Sequence, residues 1–155
     1  MSKHVWKLMA VLVVVATLLG ACGPAATPAP TEVPAATPVP EFVFGIILVG
    51  PYNDHGWSEA HYTAAQYVTE KLPNTRFDYL DKLNSADRPE TTLEQVVDDM
   101  VSKGARIIFT TSDAFMEDTD RAAEKYPDVT FIAVSGDQVL RGVAPSNVGN
   151  LMGRM

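Results

Sequence analysis

Two apolar patterns divide the chain. Leu8 to Leu19 is a single apolar run broken only by Thr17, whereas from Phe42 onward short apolar runs alternate with segments whose apolar residues recur every three or four positions. Phe42–Val49 is almost unbroken and ends in Gly50-Pro51, the pattern of a strand buried on both faces of a parallel sheet. The spacing then predicts a helix over Trp57–Leu72, with Ala60, Ala64, Tyr67, Val68 and Leu72 on its apolar face and Pro73-Asn74 closing it. Thr75–Leu80 reads as a shorter strand. Pro89 opens a second predicted helix, in which Leu93, Val96, Val97, Met100 and Val101 form one stripe before Lys103-Gly104 ends it. Ala105–Thr111, Ala114–Lys125 and Val129–Val134 follow as strand, helix and strand.

This order, βαβαβαβ, predicts an α/β fold: a doubly wound parallel sheet with helices on both faces. Such sheets bind ligands beyond the carboxyl ends of their strands. The loops at that edge are Gly50–Trp57, Leu80–Arg88, Thr111–Ala114 and Ser135–Asp137. No GxGxxG follows the first strand and no GxxxxGK[ST] occurs in the sequence, so the usual dinucleotide and triphosphate signatures are absent. A small solute fits better.

Catalytic patterns are also missing. There is no GxSxG elbow to expose a serine nucleophile. His55 and His61 lie six positions apart, which does not place them on one helix face, and no third ligand stands at metal-site spacing. The sequence therefore predicts no enzyme, no metal and no cofactor. Asp98, Asp99, Glu117, Asp118 and Asp120 read as solvated helix faces.

The front of the chain reads differently. Lys3, His4 and Lys7 precede the Leu8–Leu19 run, and Gly20 and Ala21 follow it, as in a signal peptide over residues 1–21. Leu19-Gly20-Ala21-Cys22 then reads as a lipobox. Cys22 is the only cysteine, which excludes an internal disulfide and makes it the expected site of lipidation. Several acyl chains anchor far more firmly than one, so the expected location is the cell membrane, lipid-anchored and facing the extracytoplasmic side. Residues 22–41 hold six of the eleven prolines among Ala and Thr, a composition that favours extended polyproline II and acts as a tether.

Charge narrows the partners. Removing residues 1–21 leaves ten Lys and Arg against nineteen Asp and Glu, a formal charge of −9. An acidic surface without a basic patch does not neutralise phosphates, so no nucleic-acid partner is expected.

Three segments carry a family resemblance: Gly50-Pro51-Tyr52-Asn53-Asp54-His55-Gly56-Trp57-Ser58, Ile107-Ile108-Phe109-Thr110-Thr111-Ser112, and Lys125-Tyr126-Pro127-Asp128-Val129-Thr130-Phe131. They resemble the basic membrane protein (PnrA-like) family of ABC-importer receptors. Over residues 42–155 the resemblance implies a fold of the periplasmic-binding-protein type I kind, with the N-terminal lobe only. It further implies a nucleoside-like small-molecule ligand and, as partners, an ABC permease and its ATPase. Members are two-domain proteins closing at a hinge, so this segment is expected to supply one wall of the cleft. The closing segment Asn147–Met155 looks like the start of the family's next element.

The family's acidic, aromatic and Asn positions match Asp54, Trp57 and Ser58, with Trp57 as the ring that stacks on a base. An alternative family pattern matches Gly56, Trp57 and His61. Ser in place of Asn at position 58 removes an amide that could read a base edge. Where the family carries an Asp for sugar hydroxyls, this chain has Ser135-Gly136-Asp137, the carboxylate displaced by two residues. Ser112 and Asp113 point at the same edge, and Ser112 is also placed to cap the helix after it. A second expectation of another class is a non-transport surface lipoprotein, either a ligand sensor or a remnant without binding.

Overall fold

The computed structural model describes residues 40–151. The signal peptide, Cys22, almost all of the tether, and residues 152–155 lie outside the described residues. In chain order the elements are β1 (Phe42–Ile47), α1 (Trp57–Lys71), β2 (Thr75–Leu80), α2 (Leu93–Ser102) and β3 (Ala105–Thr110). A 3-10 turn (Asp113–Phe115) then runs into α3 (Met116–Lys125), followed by β4 (Thr130–Val134) and β5 (Val148–Leu151). The strands form one sheet in the order β2-β1-β3-β4-β5, and every pair is parallel.

The predicted α/β class and its parallel sheet are therefore present, with three differences in detail. α2 starts at Leu93 rather than at Pro89, because Thr92 and Gln95 form a capping box. Thr92 Oγ1 accepts from the Gln95 N–H at 3.2 Å and Gln95 Oε1 accepts from the Thr92 N–H at 3.0 Å, which satisfies two backbone donors at once. β5 is an added strand whose four residues include Gly149 and Asn150, too short and too polar for the alternation rules to register. The third difference is the buried side of α1.

That side was expected to carry Ala60, Ala64, Tyr67, Val68 and Leu72. Tyr67 is 60% exposed and Leu72 54%, and the residues buried instead are Ser58 and Ala65. The inward stripe is Ser58, Tyr62, Ala65 and Val68, again at helical spacing but displaced around the helix. A serine at its first position hid it, because the pattern rules count hydroxyls as solvent-facing.

Two clusters fill the layers. Under α2 and α3 lie Ile47, Ile108 and Phe131, packed with Val97 and Met100 of α2, none more than 1% exposed. Under α1 lie Phe44, Ile46 and Leu48, packed with Ala65 of the helix, with Phe44 stacked on Phe77 at 5.8 Å. Gly45 lets β1 meet α2 closely, since a Cβ there would stand 2.6 Å from Met100 Sδ.

The acidic helix faces are only partly solvated as expected. Lys125 Nζ on α3 donates to Glu94 and Asp98 on α2 at 2.7 and 3.0 Å, and Tyr126 OH donates to Asp98 at 2.7 Å. Tyr126 first, then Lys125, pull the Asp98 carboxyl below its ordinary range, and Glu94 and Asp98 hold the Lys125 ammonium above its own. Asp120 differs from its neighbours: one of its oxygens is buried without a partner among the described residues, and burial, then Glu124, push its carboxyl up.

Candidate functional site

The order β2-β1-β3-β4-β5 reverses between β1 and β3. Chains leaving two such neighbours turn to opposite faces and open a crevice at the carboxyl edge, where ligands of α/β sheets sit. Here the crevice is bridged by one side chain. Trp57, the first residue of α1, donates its indole Nε1–H to the Thr111 carbonyl just past β3, at 2.6 Å. Thr111 is in turn fixed to β1, its N–H and its hydroxyl both donating to the Ile47 carbonyl at 3.0 and 2.9 Å. The Trp57 ring rests against His61, ring centres 4.7 Å apart. His61 Nδ1 lies 2.7 Å from the Trp57 carbonyl, and because a carbonyl only accepts, that nitrogen carries the proton.

The turn before α1 is organised by Asp54. Its Oδ1 accepts from the Gly56 and Glu59 N–H groups at 2.9 and 3.0 Å, and its Oδ2 from the Ser58 N–H at 3.1 Å. The carboxylate thus caps the helix. These bonds, led by that from Glu59, hold it below the ordinary carboxylate range against a smaller opposing effect of burial. Glu59 closes the arrangement by accepting from the His55 N–H at 2.7 Å, which stabilises His55 at φ 55°, a left-handed conformation that non-glycine residues seldom take.

Ser58 does not face the crevice. It is 1% exposed, and its Oγ accepts from the Gly50 N–H at 3.1 Å. In this placement Ser58 braces the loop from beneath. A Cβ on Gly50 would stand 3.0 Å from Ser58 Oγ, so glycine is what lets loop and helix approach.

The remaining expected residues also stand at this edge. Ser112 Oγ accepts from the Ala114 N–H at 3.2 Å, a cap for the 3-10 turn, and Asp113 beside it is exposed. Ser135 follows β4 at φ 68°. Asp137 accepts from Arg141 at 3.4 Å. Gly136 between them is tightly held, since a Cβ would lie 3.0 Å from that of Ala133 and 3.2 Å from Met116 Cγ.

Three groups at this end escaped the sequence reading. Asn150 of β5 donates through Nδ2 to the Gly136 carbonyl. Its Oδ1 and the Oε1 of Gln138 are buried acceptors without a partner among the described residues. Tyr52, Tyr62 and Tyr79 form a cluster beside the first loop, with ring centres 4.9 to 6.1 Å apart. Burial, then its tyrosine and Asp81 neighbours, lift the Tyr79 hydroxyl pKa. None had a sequence signal, since even the three tyrosines come from a loop, a helix and a strand. A cavity of about 520 Å³ lies to one side of the crevice, between Leu83, Arg88, Phe115 and Arg121. None of the expected site residues lines it.

The sequence profile described as "ABC transporter substrate-binding protein PnrA-like" matches residues 42–155. The chain belongs to this family. A purine-binding protein of Brucella abortus (strain 2308) is 28% identical over 111 residues, which are 71% of this chain and 31% of that one. An ABC transporter solute-binding protein from Conexibacter woesei superposes with a TM-score of 0.58 at 25% identity, covering 70% of this chain and 34% of the other. A transcriptional activator of the comK gene from Bacillus halodurans superposes at 0.53 and 22% identity, covering 70% and 33%, and shares the fold alone. The chain thus spans about a third of the length of these relatives. Its PnrA-like family is one of substrate-binding proteins.

Proposed function

We propose that residues 42–155 form one wall of the ligand cleft of a solute receptor for an ABC importer, and that its ligand is a purine nucleoside or a similar small polar molecule. The observation that carries this reading is Trp57, held half-buried at the β1/β3 crevice by its bond to Thr111 in a chain of the PnrA-like family. The purine-binding relative supports the choice of ligand. A ring fixed at one edge presents a face on which a base stacks, and such stacking contributes about 1–3 kcal/mol per base. In this reading Asp113, Ser135 and Asp137 meet the hydroxyls of the sugar. Asp54 acts on the ligand indirectly, by fixing the turn that carries Trp57.

The receptor is held on the extracytoplasmic side of the cell membrane by lipid on Cys22, and its permease and ATPase are its protein partners. A nucleoside panel followed by Trp57 fluorescence and calorimetry tests the ligand: saturable binding of purine nucleosides supports the reading, and indifference to all of them overturns it. For the anchor, Cys22→Ala moves the processed protein from the membrane to the soluble fraction, and retention of a processed Cys22→Ala protein in the membrane overturns lipidation.

A further inference from the structure

The described residues include two methionines, Met100 and Met116, and their surroundings differ. Met100 is 1% exposed inside the core, whereas Met116, the first residue of α3, is half-buried. The Met116 Sδ accepts a hydrogen bond from the Asp137 N–H at 3.3 Å. Gly136 packs against the same side chain, since a Cβ there would stand 3.2 Å from Met116 Cγ and 3.6 Å from its Sδ. Asn150 donates to the Gly136 carbonyl and the Ser135 N–H donates to the Leu151 carbonyl. The loop Ser135–Asp137 is thus tied to β5 by backbone and amide bonds, and to α3 by the sulfur of Met116. Those ties matter because Ser135 holds φ 68°, a left-handed conformation that a non-glycine residue keeps only where its surroundings fix it.

We propose that Met116 is an oxidation site through which a peroxide loosens the Ser135–Asp137 part of the ligand wall. In the step, the thioether sulfur attacks one oxygen of hydrogen peroxide. The O–O bond breaks, an S=O bond forms, and the other oxygen leaves as water after proton transfer; sulfur gives up an electron pair and the peroxide takes it. Susceptibility follows exposure, which sets Met116 apart from Met100. Oxidation turns an apolar thioether, a weak acceptor, into a bulkier polar group. The new oxygen is carried by a sulfur lone pair, the kind of site that the Asp137 N–H now faces. Close packing by Gly136 restricts where that oxygen can go, so the loop shifts instead. Reduction of the sulfoxide restores the thioether, which makes the change a switch. Its effect on ligand binding rests on the receptor reading, whereas the modification and the loosening of the loop do not.

The test exposes the protein to graded hydrogen peroxide, assigns sulfoxides by peptide mass spectrometry, and follows amide hydrogen exchange in the same samples by NMR. Sulfoxide is expected at Met116 before Met100, with exchange of the Asp137 amide faster by about threefold or more, the size of one weak hydrogen bond. Methionine sulfoxide reductase returns the exchange to its original rate. In Met116→Leu, a volume-conserving change, peroxide leaves the Asp137 rate of that variant where it was. Equal oxidation of Met116 and Met100, a Met116 sulfoxide without faster Asp137 exchange, or an acceleration that persists in Met116→Leu would each overturn the proposal. Titration of the same samples with purine nucleosides separates it from the receptor reading. A parent that binds none overturns that reading and leaves the exchange result to decide this one. A parent that binds, with an oxidised form that binds equally well, overturns the control of the wall by Met116.

Discussion

Trp57 and Thr111 are joined across the β1/β3 crevice by a 2.6 Å bond from indole N–H to carbonyl. The donor opens α1 and the acceptor follows β3, so one hydrogen bond ties together the two segments that diverge to opposite faces of the sheet. Trp57→Phe keeps an aromatic face and removes the donor. Urea denaturation is expected to register a loss of about 0.5–1.5 kcal/mol. Under the receptor reading, Trp57→Phe retains most nucleoside affinity, whereas Trp57→Ala loses about tenfold or more through lost stacking. Equal affinity of the Ala variant and the parent would remove Trp57 from the ligand wall.

Asp54 caps α1 with three backbone bonds, and its carboxyl pKa is lowered in the folded chain. A carboxylate with a lowered pKa stabilises the fold above its unfolded value of about 3.9, and that contribution is lost as pH falls through the folded value. Asp54→Ala is therefore expected to lower the melting temperature by a few degrees at pH 7, with the gap to the parent closing in strong acid. Melting curves at several pH values check this, and a gap independent of pH contradicts the capping role of the charge.

Ser58→Ala leaves the Gly50 N–H without its acceptor beneath the loop. Gly50 is half-buried, so the loss is expected at the lower end of the penalty for an unsatisfied donor, about 1 kcal/mol. Faster hydrogen exchange of the Gly50 amide should accompany that loss. Unchanged exchange would show that water replaces the serine oxygen and that the brace is dispensable.

Gly45→Ala places a methyl group 2.6 Å from Met100 Sδ and 3.3 Å from Ile108 Cγ1. Met100 is 1% exposed and has little room to retreat. Overpacking of this kind costs about 1–3 kcal/mol. The companion change Met100→Leu shortens the intruding side chain, so the double variant is expected to recover part of that loss in thermal denaturation.

The first strand was legible because it lies inside the sheet and is buried at every position after Phe42, which turns Phe42–Ile47 into a run that needs no periodicity to find. The α1 face was not, since Ser58 is buried by bonding to a loop that meets it only in three dimensions. The same holds across the site. Asp54 and Ser112 sit where local turn chemistry puts them, and both act as caps, as their residue types allow. The partnership of Trp57 with Thr111 joins residues far apart in the chain, and no spacing rule reaches that far. β5 and the bond from Asn150 to Gly136 stayed hidden because four residues with a glycine and an asparagine carry no strand signature.

The strand order also decides how the domain bears tension. A pull on the chain upstream of Phe42 enters at the amino end of β1, which is paired with β2 at six positions and with β3 at five. Those ladders lie on either side of β1 and resist sliding together, in shear. A first strand at the sheet's margin would instead be opposed by a single ladder. A domain suspended by its first strand is therefore gripped at its middle, and flow or drag acting on it meets both rows of bonds at once rather than one after the other.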